Sequence, residues 1–160
     1  MRVFLDTNIV VDFYAQREDH YQAAALIRTL AWRGEIELVI SATTFVNAFF
    51  LLRKEYSVDE IYDKMTGLVS LCEIASVGDT EVKEALKMRK KDFEDSVQWL
   101  SANAYNADVI VTRDRHFGDY QGNIKTPDQF LDDYFENKKR MKKILSLRAQ
   151  RCKRNGNDCF

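Results

Sequence analysis

Four acids fall where one cleft could gather them. Asp6 ends the apolar run Val3-Phe4-Leu5, and Asp114 follows the apolar run Val109-Ile110-Val111. Asp92 and Asp95 stand three residues apart in Asp92-Phe93-Glu94-Asp95, a spacing that puts both on one face of a helix. Glu94 is about 100° off that face and is expected to point to solvent. Grouped carboxylates repel one another unless something positive sits among them. A hard divalent cation with oxygen ligands, Mg²⁺ or Mn²⁺, suits such a group. Two such ions about 3.5–4 Å apart can activate a water and stabilise the leaving oxygen of a phosphodiester. Each acid also has a plain structural role open to it. Asp6 could cap a helix, Asp92 and Asp95 could serve a helix dipole, and Asp114 could be a turn residue.

The elements that would position these acids are short strands alternating with helices. Strands are expected at Val3–Leu5, Glu37–Ile40, Cys72–Ala75 and Val109–Val111, each a brief apolar run. Helices are expected over Ile9–Ala15, Tyr21–Trp32 (ended by Gly34), from Ser41 to Lys54, from Ser57, over Asp79–Met88, over Asp92–Tyr105 and from Asp128 to about Arg151. Ser41 is placed as an N-cap, and Ser57 with Glu60 reads as a capping box. Apolar strands that alternate with helices indicate a parallel sheet with helices on both faces. In such a sheet, ligands bind beyond the carboxyl ends of the strands, where Asp6 and Asp114 fall.

At 160 residues the chain is the size of one domain, with 46% hydrophobic and 31% charged residues. Six glycines and the single Pro127 leave no G-x-G pair and no G-x-x-x-x-G-K-[ST], so the dinucleotide and P-loop phosphate cradles are excluded. Cys72, Cys152 and Cys159 form no disulfide framework and no C-x-x-C pair for zinc. No signal peptide and no membrane span is visible, so a cytoplasmic protein is expected. The net charge of −1 hides a division. Residues 136–160 carry nine basic residues against Glu136 and Asp158, a balance of +7, while the first 135 residues, with 15 basic against 23 acidic, stand at −8. Two parts are therefore expected: a domain over 1–135 and a basic extension over 136–160, helical and then frayed. Lys138, Lys139, Arg140 and their neighbours could attract phosphates, solubilise the terminus or fold back on the acidic body.

Taken together, Phe4-Leu5-Asp6-Thr7-Asn8, Ser41-Ala42-Thr43-Thr44-Phe45-Val46-Asn47, Asp92-Phe93-Glu94-Asp95 and Val111-Thr112-Arg113-Asp114 resemble the PIN domain family. The resemblance runs from residue 1 to about 131. It implies a three-layer α/β/α fold around a parallel sheet of four to five strands. It also implies a Mg²⁺- or Mn²⁺-dependent endoribonuclease of the VapC toxin type, leaving a 5′-phosphate and a 3′-hydroxyl. Asp6, Asp95 and Asp114 match the family's first, third and fourth metal-binding acids. Asn8 and Thr112 match the amide and hydroxyl that buttress the first. Asn47 stands where the second acid, usually a Glu, is found, as in a subgroup that also carries D-F-E-D. The neutral amide costs the site one negative charge, which Asp92 could partly restore. RNA, an antitoxin protein and a second copy of the chain are the implied partners.

Arg113, Arg115 and His116 flank Asp114 and are candidate RNA contacts. Trp32, Phe45, Phe49, Phe50 and Trp99 read as core or dimer surface, and Asp12 and Asp119 as solvated. One rival to a nuclease is a non-catalytic PIN module that binds RNA or a protein partner. Another is a phosphatase of the haloacid dehalogenase type, but its D-x-D pair fails here because position 8 is Asn.

Overall fold

The computed structural model describes the backbone of residues 1–155 and the side chains of residues 1–147. Arg148, Arg151, Lys153, Arg154 and the cysteines at 152 and 159 lie outside those side chains, and so do the sequence expectations that rest on them. By its internal contacts the chain divides after Pro127, into Met1–Pro127 and a second unit from Asp128 onward.

The first unit alternates strand and helix. It runs β1 (Arg2–Leu5), α1 (Thr7–Tyr14), α2 (Tyr21–Trp32), β2 (Glu37–Ser41), α3 (Ala42–Leu52), α4 (Val58–Val69), β3 (Cys72–Ala75), α5 (Asp79–Met88), α6 (Phe93–Ala104), β4 (Val109–Val111), a 3₁₀ turn (Arg115–Asp119) and β5 (Ile124–Lys125). The second unit is one helix, α7 (Pro127–Asn155). Its residues from 136 to 147 are exposed apart from the half-buried Lys138.

All five strands are parallel, in the order β3-β2-β1-β4-β5. Because β2 and β4 lie on opposite sides of β1, the chain reverses its direction of travel across the sheet there. A crevice therefore opens beyond the ends of β1 and β4. The register sets Leu5 beside Val111, so Asp6 emerges next to Thr112. The Asp6 amide donates to the Val111 carbonyl at 3.1 Å, which holds the two strand ends together.

The three central strands, β2, β1 and β4, carry apolar runs because both faces are covered, whereas the edge strand β3 exposes Glu73 and Ile74. Phe4 pairs in register with Val39 and Ile110, and these three form one buried cluster with Ala75, Ala102 and Phe117. Trp99, Tyr105 and Tyr120 close over it. The alternate positions Val3, Leu5, Leu38, Ile40, Val109 and Val111 point to the other face and are buried as well. The helices pair as α1 with α2 and α3, α3 with α4, and α5 with α6. Burying a side chain the size of Phe4 is worth about 1.5–3 kcal/mol.

Local sequence explains the helix boundaries. Gly34, at φ +68°, donates to the Ala31 carbonyl while Glu35 donates to that of Leu30, a Schellman ending that needs the left-handed residue. Ser41 caps α3 through the Thr43 amide, and Ser57 and Glu60 form a complete capping box on α4. The expected elements are recovered to within a few residues. The first helix begins earlier, at Thr7, directly after Asp6. The two-residue β5 is too short to leave a periodic signal.

Candidate metal centre

Asp6 occupies the N-cap position of α1, yet its side chain makes no capping hydrogen bond there. It turns into the crevice instead. Its Oδ2 accepts from the Thr112 hydroxyl at 2.6 Å and from the Asn8 side-chain amide. Its Oδ1 accepts from Gln98 Nε2 at 2.9 Å. Asn8 and Thr112 are themselves held: the Arg113 amide donates to Asn8 Oδ1 at 3.2 Å, and the Asp114 amide donates to Thr112 Oγ1 at 2.9 Å. The carboxylate is 4% exposed. Burial pushes its pKa up to about 6, against the lowering effect of Thr112 and Gln98.

Asp95 lies across the crevice at the start of α6 and is equally buried. Its Oδ2 is buried with no hydrogen-bond partner. Desolvation, followed by the repulsion of Asp92, Asp114, Asp6 and Glu94, pushes its pKa up to about 7. Asp92 is the N-cap of this helix, with Oδ1 accepting from the Glu94 and Asp95 amides at 2.9 and 3.2 Å. Asp114 caps the 3₁₀ turn, its Oδ1 accepting from the His116 amide at 2.8 Å. The plain structural roles open to Asp92 and Asp114 are thus filled, by one oxygen of each.

A carboxylate oxygen of Asp95, one of Asp114 and a ring nitrogen of His116 all lie within 4.8 Å of one another. An unsatisfied buried carboxylate oxygen normally costs a few kcal/mol and calls for a missing partner. With two carboxylates and an imidazole converging, a divalent cation fits that place.

Glu94 does not point to solvent. Its Oε1 accepts from Asn47 Nδ2 at 2.5 Å, Gln98 Nε2 at 3.0 Å and Thr7 Oγ1 at 3.1 Å. Contrary to its expected solvent-facing position, Glu94 is held inward because the first turn of α6 is approached from a second side by α1 and α3, which carry Thr7 and Asn47. Gln98 links the two acids, since the same Nε2 reaches Asp6 and Glu94. It is fully buried and was not found from the sequence, although its i, i+4 spacing from Glu94 was legible.

Asp12 is not solvated either. It is fully buried on α1 and receives a two-pronged ion pair from Arg113, at 2.5 and 2.8 Å, with Arg17 at 3.4 Å. An acid inside the apolar run Ile9-Val10-Val11-Asp12-Phe13-Tyr14 is the signal, because a buried charge requires a cation. Arg113 thus anchors the segment between Thr112 and Asp114 to α1. Arg115 is exposed and His116 is half exposed. Lys90 and Lys91 line a small recess with Asp92, Asp95, His116 and Tyr120, two cations that the sequence argument passed over. Of the large aromatics, Trp32 and Phe50 are exposed, and Trp99 is half-buried with its indole N–H on the Gln121 carbonyl at 2.8 Å.

Over 137 residues the chain is 25% identical to Ribonuclease VapC1 of Aquifex aeolicus, covering 82% of this chain and 94% of the relative. Its fold matches VapBC2 of Rickettsia felis, a structure bound to a promoter DNA fragment, with a TM-score of 0.59 at 20% identity, over 79% of this chain and 98% of the other. It also matches VapC20 of Mycobacterium tuberculosis, described as a sarcin-ricin-loop-cleaving toxin, with a TM-score of 0.55 at 12% identity, over 68% and 86% of the two chains. The family model described as "PIN domain" matches residues 2–116, the stretch that holds every acid of the crevice. The chain belongs to the PIN domain family.

Proposed function

We propose that the protein is a metal-dependent endoribonuclease that hydrolyses RNA phosphodiester bonds, and that it is the toxin of a toxin–antitoxin pair. The convergence of Asp95, Asp114 and His116, with Asp6 near enough to help raise the Asp95 pKa and Asp95 Oδ2 left unpartnered in a buried place, carries the nuclease reading. The toxin reading rests on relatives named as a VapC ribonuclease and as VapBC complexes. It brings with it an antitoxin partner, a homodimer and a cytoplasmic setting.

In this reading Asp95 and Asp114 hold a Mg²⁺ or Mn²⁺ ion, with Asp6 facing it and Asp92 adding charge. The ion would supply Lewis acidity, making a water nucleophilic near neutral pH and offsetting phosphate charge. Thr112, Asn8 and Gln98 fix the Asp6 carboxylate by donating to both of its oxygens, so its orientation is set before substrate arrives. Asn47 contributes no charge and orients Glu94, which supplies the carboxylate missing from α3. Lys90, Lys91 and Arg115 lie where phosphate oxygens would approach. The in-line attack breaks the P–O3′ bond, the 3′-oxygen takes up a proton from solvent, and the products are a 5′-phosphate and a 3′-hydroxyl. The basic extension, with Lys138, Lys139 and Arg140, adds sequence-independent attraction for RNA.

Incubating purified protein with RNA in Mn²⁺, in Mg²⁺ and in EDTA tests this. Cleavage is expected with a divalent ion, not in EDTA, and not by Asp6→Asn or Asp95→Asn. Full activity of either variant contradicts the assignment. A second reading, an RNA-binding module without activity, is favoured by the neutral Asn47. RNA binding with no cleavage under any divalent ion would establish it.

A further inference from the structure

Resting on the metal-centre reading above, we propose that His116 is itself a ligand of the cation, through a ring nitrogen. The site then prefers an ion that accepts nitrogen, Mn²⁺, over Mg²⁺.

The 3₁₀ turn is built to hold this ring in place. Phe117, the next residue, is fully buried in the core cluster, and Tyr120 packs on it at 5.6 Å between ring centroids. The His116 amide is tied to Asp114 Oδ1 at 2.8 Å, and its Nδ1 lies 3.0 Å from the same oxygen. The ring therefore sits on the Asp114 side of the crevice, within 4.8 Å of the Asp95 and Asp114 donor atoms. The unpartnered Asp95 Oδ2, in a side chain 4% exposed, is the independent sign that something is to be bound there. A role confined to RNA contact would not require the imidazole to share this space with two acids.

The consequence lies in ion choice. Both ions are served by oxygen donors, but Mg²⁺ is small, demands near-ideal octahedral geometry and gives up its waters reluctantly, whereas Mn²⁺, a larger first-row transition ion, gains more from an added imidazole nitrogen. Two carboxylates and one imidazole still leave positions open for water and a phosphate oxygen.

The test uses the full chain without an affinity tag, stripped of metal. That chain has only two histidines, His20 and His116. Pulsed EPR of the Mn²⁺-loaded protein is expected to show coupling to a ¹⁴N nucleus, lost in His116→Asn and retained in His20→Asn. Calorimetric titration is expected to show that His116→Asn weakens Mn²⁺ by about tenfold or more and Mg²⁺ by less than about twofold, with His116→Gln behaving alike. No nitrogen coupling in the wild type, or unchanged Mn²⁺ affinity in both variants, overturns the proposal. If Asp95→Asn still abolishes binding in that case, the metal centre stands and only the nitrogen ligand falls. If the wild type binds no ion at all, both fall together.

Discussion

The two walls of the crevice are built on opposite principles. On the β1 side, Asp6 has both oxygens occupied by Thr112, Asn8 and Gln98, and the first two donors are held in turn by backbone amides. On the α6 side, Asp95 has a buried oxygen with no partner, and burial first and four neighbouring acids second raise its pKa. The Asp6 carboxylate has its partners as folded; under the proposed function, Asp95 gains its own from a cation. A site that must grip a metal and then release products gains from having one acid rigidly preset and another dependent on the ion.

The sharpest way to break this comparison is to neutralise each acid in turn. Both Asp6→Asn and Asp95→Asn should lower cleavage by about a hundredfold or more. Their effects on metal-free stability should have opposite signs. Asp6→Asn sets a donor amide against three donors and should destabilise by about 1–3 kcal/mol. Asp95→Asn removes repulsion and should stabilise by about 1 kcal/mol. Urea unfolding in EDTA measures both, and a shared sign would erase the distinction.

A third acid sharpens it. Asp12 is as buried as Asp6 but is paired with a cation of the chain's own, Arg113. Removing the close partner, in Arg113→Ala, leaves the buried charge with only the longer Arg17 contact and should cost about 3 kcal/mol, measured by the same unfolding curves. The segment carrying Thr112 and Asp114 should loosen with it.

Acidity acts on both walls. The folded-state pKa values of Asp6, about 6, and Asp95, about 7, lie above their ordinary value of 3.8. Below that ordinary value, folded and unfolded chains alike hold these protons. Between it and the folded values the folded chain alone retains them, so stability falls as pH rises through this window. The melting temperature of the metal-free protein should drop by about 10 °C from pH 5 to pH 8, in keeping with ~4 kcal/mol. Mn²⁺ should restore it, with the larger effect at pH 8. A flat profile in EDTA would mean the acids are not strained as folded.

Glu94→Gln gives the smallest effect. It keeps the shape and removes one charge beside Asn47, and should weaken Mn²⁺ binding by about threefold to tenfold in calorimetry with little change in stability. No change would assign Glu94 a purely structural role.

Much of this was legible in the sequence. The apolar run Val3–Leu5 ending at Asp6, and Val109–Val111 followed by Asp114, fixed both sheet and crevice, because a parallel strand buried on both faces leaves an uninterrupted apolar signature. Asp95 followed from its helix start. What escaped shares a physical cause. Glu94, Gln98 and Asp12 are polar residues buried by contacts between elements distant in the chain, with partners 47, 92 and 101 residues away in Asn47, Asp6 and Arg113. Periodicity along one helix reports one buried face and is silent about a second. The basic residues of 136–147 are exposed apart from the half-buried Lys138, and composition does not say what they attract.

The central claim is that a divalent cation completes the Asp95 wall. Titration of Mn²⁺ into the metal-stripped wild type and into Asp95→Asn tests it most directly. The account predicts saturable binding by the wild type and none, or at least about a hundredfold weaker binding, by the variant. Equal affinity and stoichiometry in the two proteins would contradict it.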